Sequence, residues 1–320
     1  MSSQCRFVVN LTDSVFRGLY HGKRKHDNDF VSVLERAKTA GVRGMIVTGG
    51  SLHESKEALD VARKHGLHAT VGCHPTRAAE FDKYERGPEE YLRALDDVLA
   101  QNVKGKGPAV AVGECGLDYD RLHFASPEVQ QKHFRSQLAL AKKHGLPLFL
   151  HSRAAHADFV RILREEGFGE NGGSAVGGKG GVVHSFTGAE QEAKDLSHDS
   201  HALYRINGCS LKTEENLRVA KSVPLDRLML ETDAPWCSCT STHASKTTLD
   251  ALPTDLRNLY LPAATKPEKF QPGKPVKGRN EPAAIGAIAW VLSQLHGVSM
   301  EEITEKVWAN TVNVFDLQGL

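Results

Sequence analysis

The chain has 320 residues, of which 40% are hydrophobic and 25% charged, and its formal net charge at pH 7 is +1. These proportions are typical of a protein that folds around a buried core. The near-neutral charge gives the protein no overall basic field that would indicate nucleic acid binding. A polynucleotide substrate would therefore have to be recognised at a local site.

The sequence also bears on compartment and partners. It has no apolar run of about 18 residues, which argues against a membrane span, and its first residues lack the pattern of a secretory signal. Its six cysteines show neither zinc-finger spacing nor a dense disulfide framework. Cys237 and Cys239 have two interpretations, a metal site or two reduced thiols in a loop, and the second is favoured. We expect a cytoplasmic or nuclear protein with no membrane contact and no stable protein partner.

Short β-branched runs alternate along the chain with segments of helical periodicity. Strands are predicted, in chain order, at 6–11, 42–49, 67–73, 108–114, 146–152, 181–186, 202–208 and 227–233. Helices are predicted at 29–41, 54–66, 87–101 and 126–145, in a segment ending near 167, and in a closing region over 281–317. Eight strands alternating with helices predict an α/β fold, a TIM-type (β/α)₈ barrel that occupies residues 1–320 as one domain.

Two segments interrupt this alternation. The Gly-rich segment 167–181 precedes a strand instead of joining a strand to a helix, so we expect a flexible surface insertion there and not a phosphate loop. The segment 234–280 is a long loop between the last strand and the closing helices. In a barrel of this type that connection lies on the active-site face, where long loops are often functional.

Potential metal ligands stand at the ends of several predicted strands. His74, Glu114, His151, His184 and Asp233 follow or end the third, fourth, fifth, sixth and eighth strands. Each has a structural alternative, as a core histidine or as an acidic cap of the next helix. Because the carboxyl ends of barrel strands open at one mouth, we expect these side chains to converge.

Four of these residues, Glu114, His151, His184 and Asp233, suit one or two divalent ions such as Mg²⁺, Mn²⁺ or Zn²⁺. A bound ion lowers the pKa of its water and neutralises charge on a phosphoryl or carbonyl oxygen. Asp233 is then the best candidate to orient or deprotonate that water. Arg153 has two interpretations, a phosphate contact or a surface salt bridge. Trp236 is predicted either to stack on a terminal base or to pack beneath the loop.

Seven motifs in this sequence resemble those of the TatD family of metal-dependent deoxyribonucleases, and they occur in family order across almost the whole chain. They are NLTD (10–13), GCHP (72–75), VGECGLDYD (112–120), HSR (151–153), VHSFTG (183–188), LETDAP (230–235) and RNEP (279–282). The resemblance implies a TIM-type barrel that hydrolyses DNA, with 3′→5′ exonuclease action on single strands as the expected activity.

The resemblance also implies roles for individual residues. Glu114 resembles the carboxylate that touches or bridges two metal ions, and a catalytic role follows for it. His151, His184 and Asp233 resemble the remaining ligands. His74 resembles a histidine that contacts the substrate or its phosphate. Arg279, in the motif at the start of the closing helices, is predicted either to contact substrate or to support the site.

The first strand departs from the family pattern. Many members carry a His-x-His pair there as metal ligands, whereas this chain has Val8, Val9 and Asn10. The NLTD motif of this chain resembles the motif found in a branch of the family that includes its eukaryotic members. A second ion would then depend on Glu114, water and substrate phosphate. Asn10 and Asp13 are possible contributors through their oxygens, with a loop or helix cap as the alternative for Asp13.

Two other functions compete with the nuclease. The first is a metal-dependent hydrolase of a small amide, ester or phosphoester on the same barrel, which the fold alone does not exclude. The missing first-strand histidine pair disfavours it. The second is a catalytically silent scaffold, which the presence of all four candidate ligands disfavours.

Overall fold

The structure is a computed structural model that describes residues 5–200 and 202–318, with side chains over 9–196 and 202–318. In this part of the chain the strands are β1 (Cys5–Val9), β2 (Leu19–Tyr20), β3 (Lys23–Arg24), β4 (Val42–Val47), β5 (His68–Val71), β6 (Ala109–Asp118), β7 (Leu148–Arg153), β8 (Gly181–Val183), β9 (Leu203–Ile206) and β10 (Leu228–Leu230). All eight predicted strands are confirmed, as β1 and β4 to β10. The antiparallel pair β2–β3 was not predicted, because two-residue strands carry no periodicity.

The helices alternate with these strands. They are α1 (Phe30–Thr39), α2 (Leu52–His65), α3 (Ala79–Lys83), α4 (Pro88–Asn102), α5 (Pro127–His144), α6 (His156–Glu165), α7 (Glu190–Ser200), α8 (Glu214–Ser222), α9 (Lys246–Asp250), α10 (Thr254–Tyr260), α11 (Ile285–His296) and α12 (Met300–Val314). Within the described ranges no single helix is long and apolar enough to cross a membrane, although the bent pair Pro282–His296 and Met300–Val314 reaches that length and composition together.

Residues at the helix termini satisfy the free backbone groups there. The Ser126 side chain accepts from the N–H of Val129 at the start of α5, Pro127 takes the first helical position, and Gly145 ends the helix at φ 58°. Such ends are favourable because Ser satisfies a free N–H and glycine tolerates a left-handed conformation. The first turn of α2 is capped in the same way by Ser51.

The chain divides into two compact units. Unit 1 comprises Met1–Met45 and Arg205–Thr311, and unit 2 comprises Ile46–Tyr204 and Val312–Leu320. The boundaries at Met45 and Tyr204 fall inside β4 and β9. The single domain expected over 1–320 stays a prediction.

In unit 2, β4 to β9 pair in chain order and in parallel, the arrangement of an α/β sheet with helical crossovers. Every residue of β6 is buried. The register places Gly116 of β6 opposite His151 of β7. The α/β class predicted from the alternation is thereby confirmed for this unit.

In unit 1, the chain after β1 meets the chain after β10, since Asn10 N donates to Ala234 O at 2.9 Å. β10 also continues from β9, with Glu231 N donating to Ile206 O at 3.1 Å. The apolar helix α11 is largely buried here, with Ile288 and Leu292 among its core residues.

The two irregular segments are both more ordered than the sequence indicates. The Gly-rich segment, in unit 2, contains 3-10 turns over Asn171–Val176, where Gly172 and Gly173 are buried at φ 64° and 79°. It is thus packed in part and not only a flexible insertion, because these glycines supply left-handed turns that other residues rarely adopt. The 234–280 segment, in unit 1, contains α9, α10 and a bridge between Thr265 and Val276.

Candidate metal centre

Unit 2 brings four predicted residues together. His74 follows β5, Glu114 lies within β6, His151 lies within β7 and His184 directly follows β8. The sequence placed the end of the fourth strand at Glu114, but β6 continues to Asp118. Gly116 stays in the strand, with φ 142°.

One carboxylate oxygen and two imidazole nitrogens meet at the centre of this cluster. Oε1 of Glu114 lies 2.7 Å from Nε2 of His184 and 3.0 Å from Nδ1 of His151, and the two nitrogens are 3.0 Å apart. Nε2 of His74 lies 3.1 Å from the same Glu114 oxygen. Nitrogen and carboxylate donors of this kind bind divalent ions of the Zn²⁺ and Mn²⁺ type, so the residues fit the metal that the sequence predicts.

His74 differs from the other two histidines in the way its ring is held. Nδ1 of His74 accepts from the backbone N–H of Thr76 at 3.1 Å and contacts Thr76 Oγ1 at 2.7 Å. A neutral imidazole whose Nδ1 is an acceptor carries its proton on Nε2. His74 therefore presents an N–H donor to the cluster. The ligand atoms of His74, Glu114 and His151 all lie within 4.8 Å of one another, a spacing that a shared metal ion would allow. However, an N–H donor binds a phosphate oxygen better than it binds a metal ion.

The ionisation of the cluster follows from burial and mutual contact. Burial opposes the charge on Glu114, but the adjacent His184 and His74 outweigh it and hold its pKa well below the usual range. Burial lowers the pKa of His74. Burial also opposes the charge of His151, yet hydrogen bonds to Asp118 and Glu114 prevail and raise its pKa. The centre thus contains a carboxylate at neutral pH, as a cation site requires.

Two glutamines of α5 hold the backbone that carries the cluster. Gln137 accepts from Cys73 N at 2.7 Å and donates to Cys73 O at 3.0 Å, beside His74. Gln130 accepts from Asp118 N at 2.8 Å and donates to Asp118 O at 2.9 Å. Both amides are buried. They satisfy backbone groups at the strand ends that would otherwise be costly to bury.

Close approach of two strands explains a glycine in the motif. A Cβ on Gly116 would lie 1.9 Å from the backbone oxygen of His151. Any larger residue would push β7 away and move His151 with it. The absence of a side chain at Gly116 therefore helps to set the position of His151.

Asp233 and Asn10, predicted as a ligand and a possible contributor, meet in unit 1. Asn10 Nδ2 donates to Asp233 Oδ1 at 2.8 Å, and Cys237 Sγ lies 3.2 Å from Asp233 Oδ2. Asp233 adopts φ 50°, a left-handed conformation that is uncommon outside glycine and concentrates at functional sites. Asp13 instead accepts from Val15 N at 2.9 Å, which is the capping alternative.

The RNEP motif lies in unit 1 as a buried polar network. Arg279, whose side chain is 1% exposed, contacts Asp29 at 2.6 Å and Glu281 at 2.7 Å. Asn280 Nδ2 donates to the carbonyls of Thr232 and Trp236, on both sides of Asp233. This placement supports the structural role for Arg279 over the substrate contact, because its guanidinium is enclosed by carboxylates.

The remaining predicted residues are exposed. Arg153 pairs with Asp120 at 2.7 Å in unit 2, and about half of each side chain is exposed. This is the salt-bridge alternative, at a position that stays open to solvent. Trp236 in unit 1 is 57% exposed, so it does not pack beneath the loop. Its indole face is available to stack on a base.

The cysteines of the 234–280 segment favour the reduced-thiol interpretation. Cys237 Sγ lies 2.8 Å from Cys209 Sγ. The hydrogen bond with Cys209 and burial raise the pKa of Cys237, and burial raises the pKa of Cys239 to about 11. Protonated thiols are poor metal ligands. The side chain of Cys5 lies outside the described residues.

Fold and cluster together define a class, the metal-dependent hydrolases of TIM-type α/β fold. Residues 19–316 match the model of the family described as TatD related DNase. The chain belongs to this TatD family, and its membership makes it a hydrolase of phosphodiester bonds, a deoxyribonuclease.

Named relatives agree with this assignment. The chain is similar to Deoxyribonuclease Tat-D of Schizosaccharomyces pombe, with 45% identity over 95% of this chain and 93% of the relative. It is 33% identical to the 3′-5′ ssDNA/RNA exonuclease TatD of Erwinia amylovora, over 97% and 98% of the two chains. The crystal structure of a hydrolase TatD family protein from Entamoeba histolytica aligns with a TM-score of 0.85 at 33% identity, over 98% and 99%. The predicted family and fold class are confirmed.

Sequence reasoning missed Asp118, Thr76 and the two glutamines of α5. Asp118 lies inside the quoted motif VGECGLDYD, four residues after Glu114, so its place on the same strand was a usable signal once that strand is extended. Gln130 and Gln137 carried no such signal, because polar residues on an amphipathic helix usually face solvent.

Proposed function

We propose that this deoxyribonuclease degrades single-stranded DNA from the 3′ end, with a divalent ion held by Glu114, His151 and His184. One observation carries the proposal: a carboxylate oxygen and two imidazole nitrogens lie within 3.0 Å of one another in the buried centre of unit 2. The polarity and the single-strand preference follow the name of the Erwinia amylovora relative.

When bound, the ion would supply charge neutralisation at the scissile phosphate and a lower pKa for an attacking water. Nδ1 of His151, Nε2 of His184 and Oε1 of Glu114 are the atoms that would hold it. His74, with its proton fixed on Nε2 by Thr76, donates a hydrogen bond to a phosphate oxygen. Asp233 remains the candidate to orient or deprotonate the water, and Arg153 and Trp236 the candidates to contact substrate.

The test uses 5′-labelled single-stranded DNA with Mg²⁺, Mn²⁺ or Zn²⁺, and EDTA-treated enzyme beside it. A metal-dependent ladder of progressively shortened labelled strands is expected, with no ladder for Glu114→Gln. Glu57→Gln is the matched control, since Glu57 is an exposed residue of α2 in the same unit. Asp233→Asn, measured separately, tests whether Asp233 belongs to the reaction.

Three results distinguish the alternatives. Release of a labelled mononucleotide at once would reverse the polarity. Metal bound without cleavage of DNA or RNA would favour the small-substrate hydrolase, to be tried with chromogenic phosphodiesters and esters. If the protein neither bound metal nor cleaved DNA, the catalytically silent scaffold would be the remaining hypothesis. Localisation, a duty in DNA repair or degradation, and the identity of the native metal are separate hypotheses.

A further inference from the structure

A second carboxylate contacts His151 from the side opposite the metal centre. Oδ2 of Asp118 lies 3.3 Å from Nε2 of His151, while Nδ1 of the same ring faces Glu114 and His184 at 3.0 Å each. Asp118 is fully buried. The imidazole is therefore held between two carboxylates, one at each nitrogen.

This arrangement results from strand register. Gly116 is the partner of His151 across the β6–β7 ladder, and Glu114 and Asp118 flank it two residues away on either side. One carboxylate thus reaches Nδ1 and the other Nε2.

Asp118 is itself fixed by several contacts. Gln130 holds its backbone N–H and carbonyl, and Oδ1 accepts from Asp120 N at 3.1 Å. Of its two carboxylate oxygens, Oδ2 is the one directed at the ring, with Arg121 Nε 3.8 Å away. The orientation of the acceptor is consequently set before any ligand arrives.

A neutral imidazole has one proton and two nitrogens that compete for it. When the proton is on Nε2, it is donated to Asp118, and Nδ1 offers its lone pair to the metal centre. When the proton is on Nδ1, that nitrogen has no lone pair to offer. Carboxylates that accept from the far nitrogen of a metal-binding histidine fix this choice and increase the basicity of the ligand atom.

We propose that Asp118 is a positioning residue that holds the His151 proton on Nε2 and so makes Nδ1 the metal-binding atom. The inference rests on the proposed function, because it takes His151 as a ligand. It adds a residue that neither the motif roles nor the cluster itself assigns.

Asp118→Asn tests the assignment with little change in shape. Because the N–H of Asp120 occupies the Oδ1 side, the amide should direct its NH₂ group at Nε2 of His151 and drive the proton to Nδ1. We expect affinity for Mn²⁺, measured by titration calorimetry, to fall roughly 10- to 100-fold. Asp158→Asn is the matched control, since Asp158 accepts from Tyr119 in the same unit at 2.8 Å and carries the same charge.

A second measurement reads the proton directly and needs neither metal nor activity. Long-range ¹⁵N–¹H correlations of ¹⁵N-histidine protein, recorded above the imidazole transition and assigned with His151→Gln, report which nitrogen is protonated. Wild type should show His151 protonated on Nε2, and Asp118→Asn on Nδ1.

Wild-type protonation on Nδ1 would overturn the proposal, even if Asp118→Asn failed to fold. An Mn²⁺ affinity of Asp118→Asn equal to that of Asp158→Asn would also overturn it. Failure of the proposed function looks different: wild type would leave DNA uncleaved while the protonation of His151 still followed the residue at 118.

Discussion

Arg279 and Asp29 are 250 residues apart in the chain and form a two-pronged ion pair, with Nη1–Oδ1 at 2.8 Å and Nη2–Oδ2 at 2.6 Å. Glu281 contacts the same guanidinium and also pairs with Arg36 through both of its oxygens, at 2.7 and 2.9 Å. Two arginines and two carboxylates thus form one network in unit 1, in which Arg279, Asp29 and Glu281 are buried and Arg36 lies at the edge. Removal of one member leaves an uncompensated buried charge, which is costly.

We therefore expect Arg279→Leu to lower the free energy of unfolding by about 3–5 kcal/mol, measured by urea denaturation. Arg279→Lys should retain part of that stability, since it keeps the charge and loses the planar fork. Arg161→Leu is the control, because Arg161 and Glu165 are exposed and Asp158 is only half-buried, and ion pairs at the surface contribute little to stability. If Arg279→Leu were as stable as wild type but had a raised KM for DNA, the result would instead support a substrate contact.

His74 should contribute to the reaction and not to metal binding. We expect His74→Gln to lower kcat roughly 100-fold, by analogy with loss of one donor to a charged oxygen, while the Kd for Mn²⁺ stays close to that of wild type. His184→Gln should weaken Mn²⁺ binding strongly, because Nε2 of His184 lies 2.7 Å from Glu114. Equal loss of Mn²⁺ affinity in both variants would show that His74 is a ligand.

Metal affinity should decrease in acid. Burial opposes the charge of His151, but hydrogen bonds to Asp118 and Glu114 raise its pKa above the usual value, so proton and metal compete at a higher pH than for an ordinary imidazole. We expect weaker Mn²⁺ binding by calorimetry at pH 6 than at pH 8. An affinity that does not change over this range would contradict the assignment of His151 as a ligand.

The stability of the metal-free protein should depend on pH in the opposite direction to metal affinity. A pKa raised on folding stabilises the folded state below the unfolded value, about 6.5, and this contribution is lost as pH rises through the folded pKa of His151. His151→Gln should accordingly destabilise the metal-free protein more at pH 5.5 than at pH 8.5, by thermal unfolding. The same loss at both values would mean that His151 is uncharged throughout.

Trp236 should act on the substrate alone. Stacking on a base is worth about 1–3 kcal/mol, so Trp236→Ala is expected to raise KM for single-stranded DNA roughly 5- to 150-fold and to leave hydrolysis of a small chromogenic phosphodiester unchanged. Val31→Ala provides a control, since Val31 is a 61% exposed residue of α1. Equal losses on both substrates would place the effect of Trp236 on the site itself.

The sequence by itself determined the class of fold and most of the chemistry. Alternating β-branched runs and amphipathic segments predict the parallel strands and the helices α1, α2, α4, α5 and α6, because burial on two faces requires those patterns. Helices α3, α7 and α8 were not predicted. Residue type also pointed to Glu114, His151 and His184 as candidate ligands, since only a few side chains bind divalent ions. The β2–β3 pair and α9 and α10 escaped prediction because elements of two to seven residues are too short to show a period.

Only the tertiary structure decided how these residues act on one another. The distance from Asp118 to His151 depends on the register of β6 against β7, and β6 continues through Gly116 to Asp118 where the sequence predicts that the strand ends at Glu114. Likewise Arg279 could be a substrate contact or a buried ion until the fold enclosed it with Asp29. Residue identity sets what a side chain can do, whereas the proton position on an imidazole and the burial of a guanidinium depend on neighbours far away in the chain.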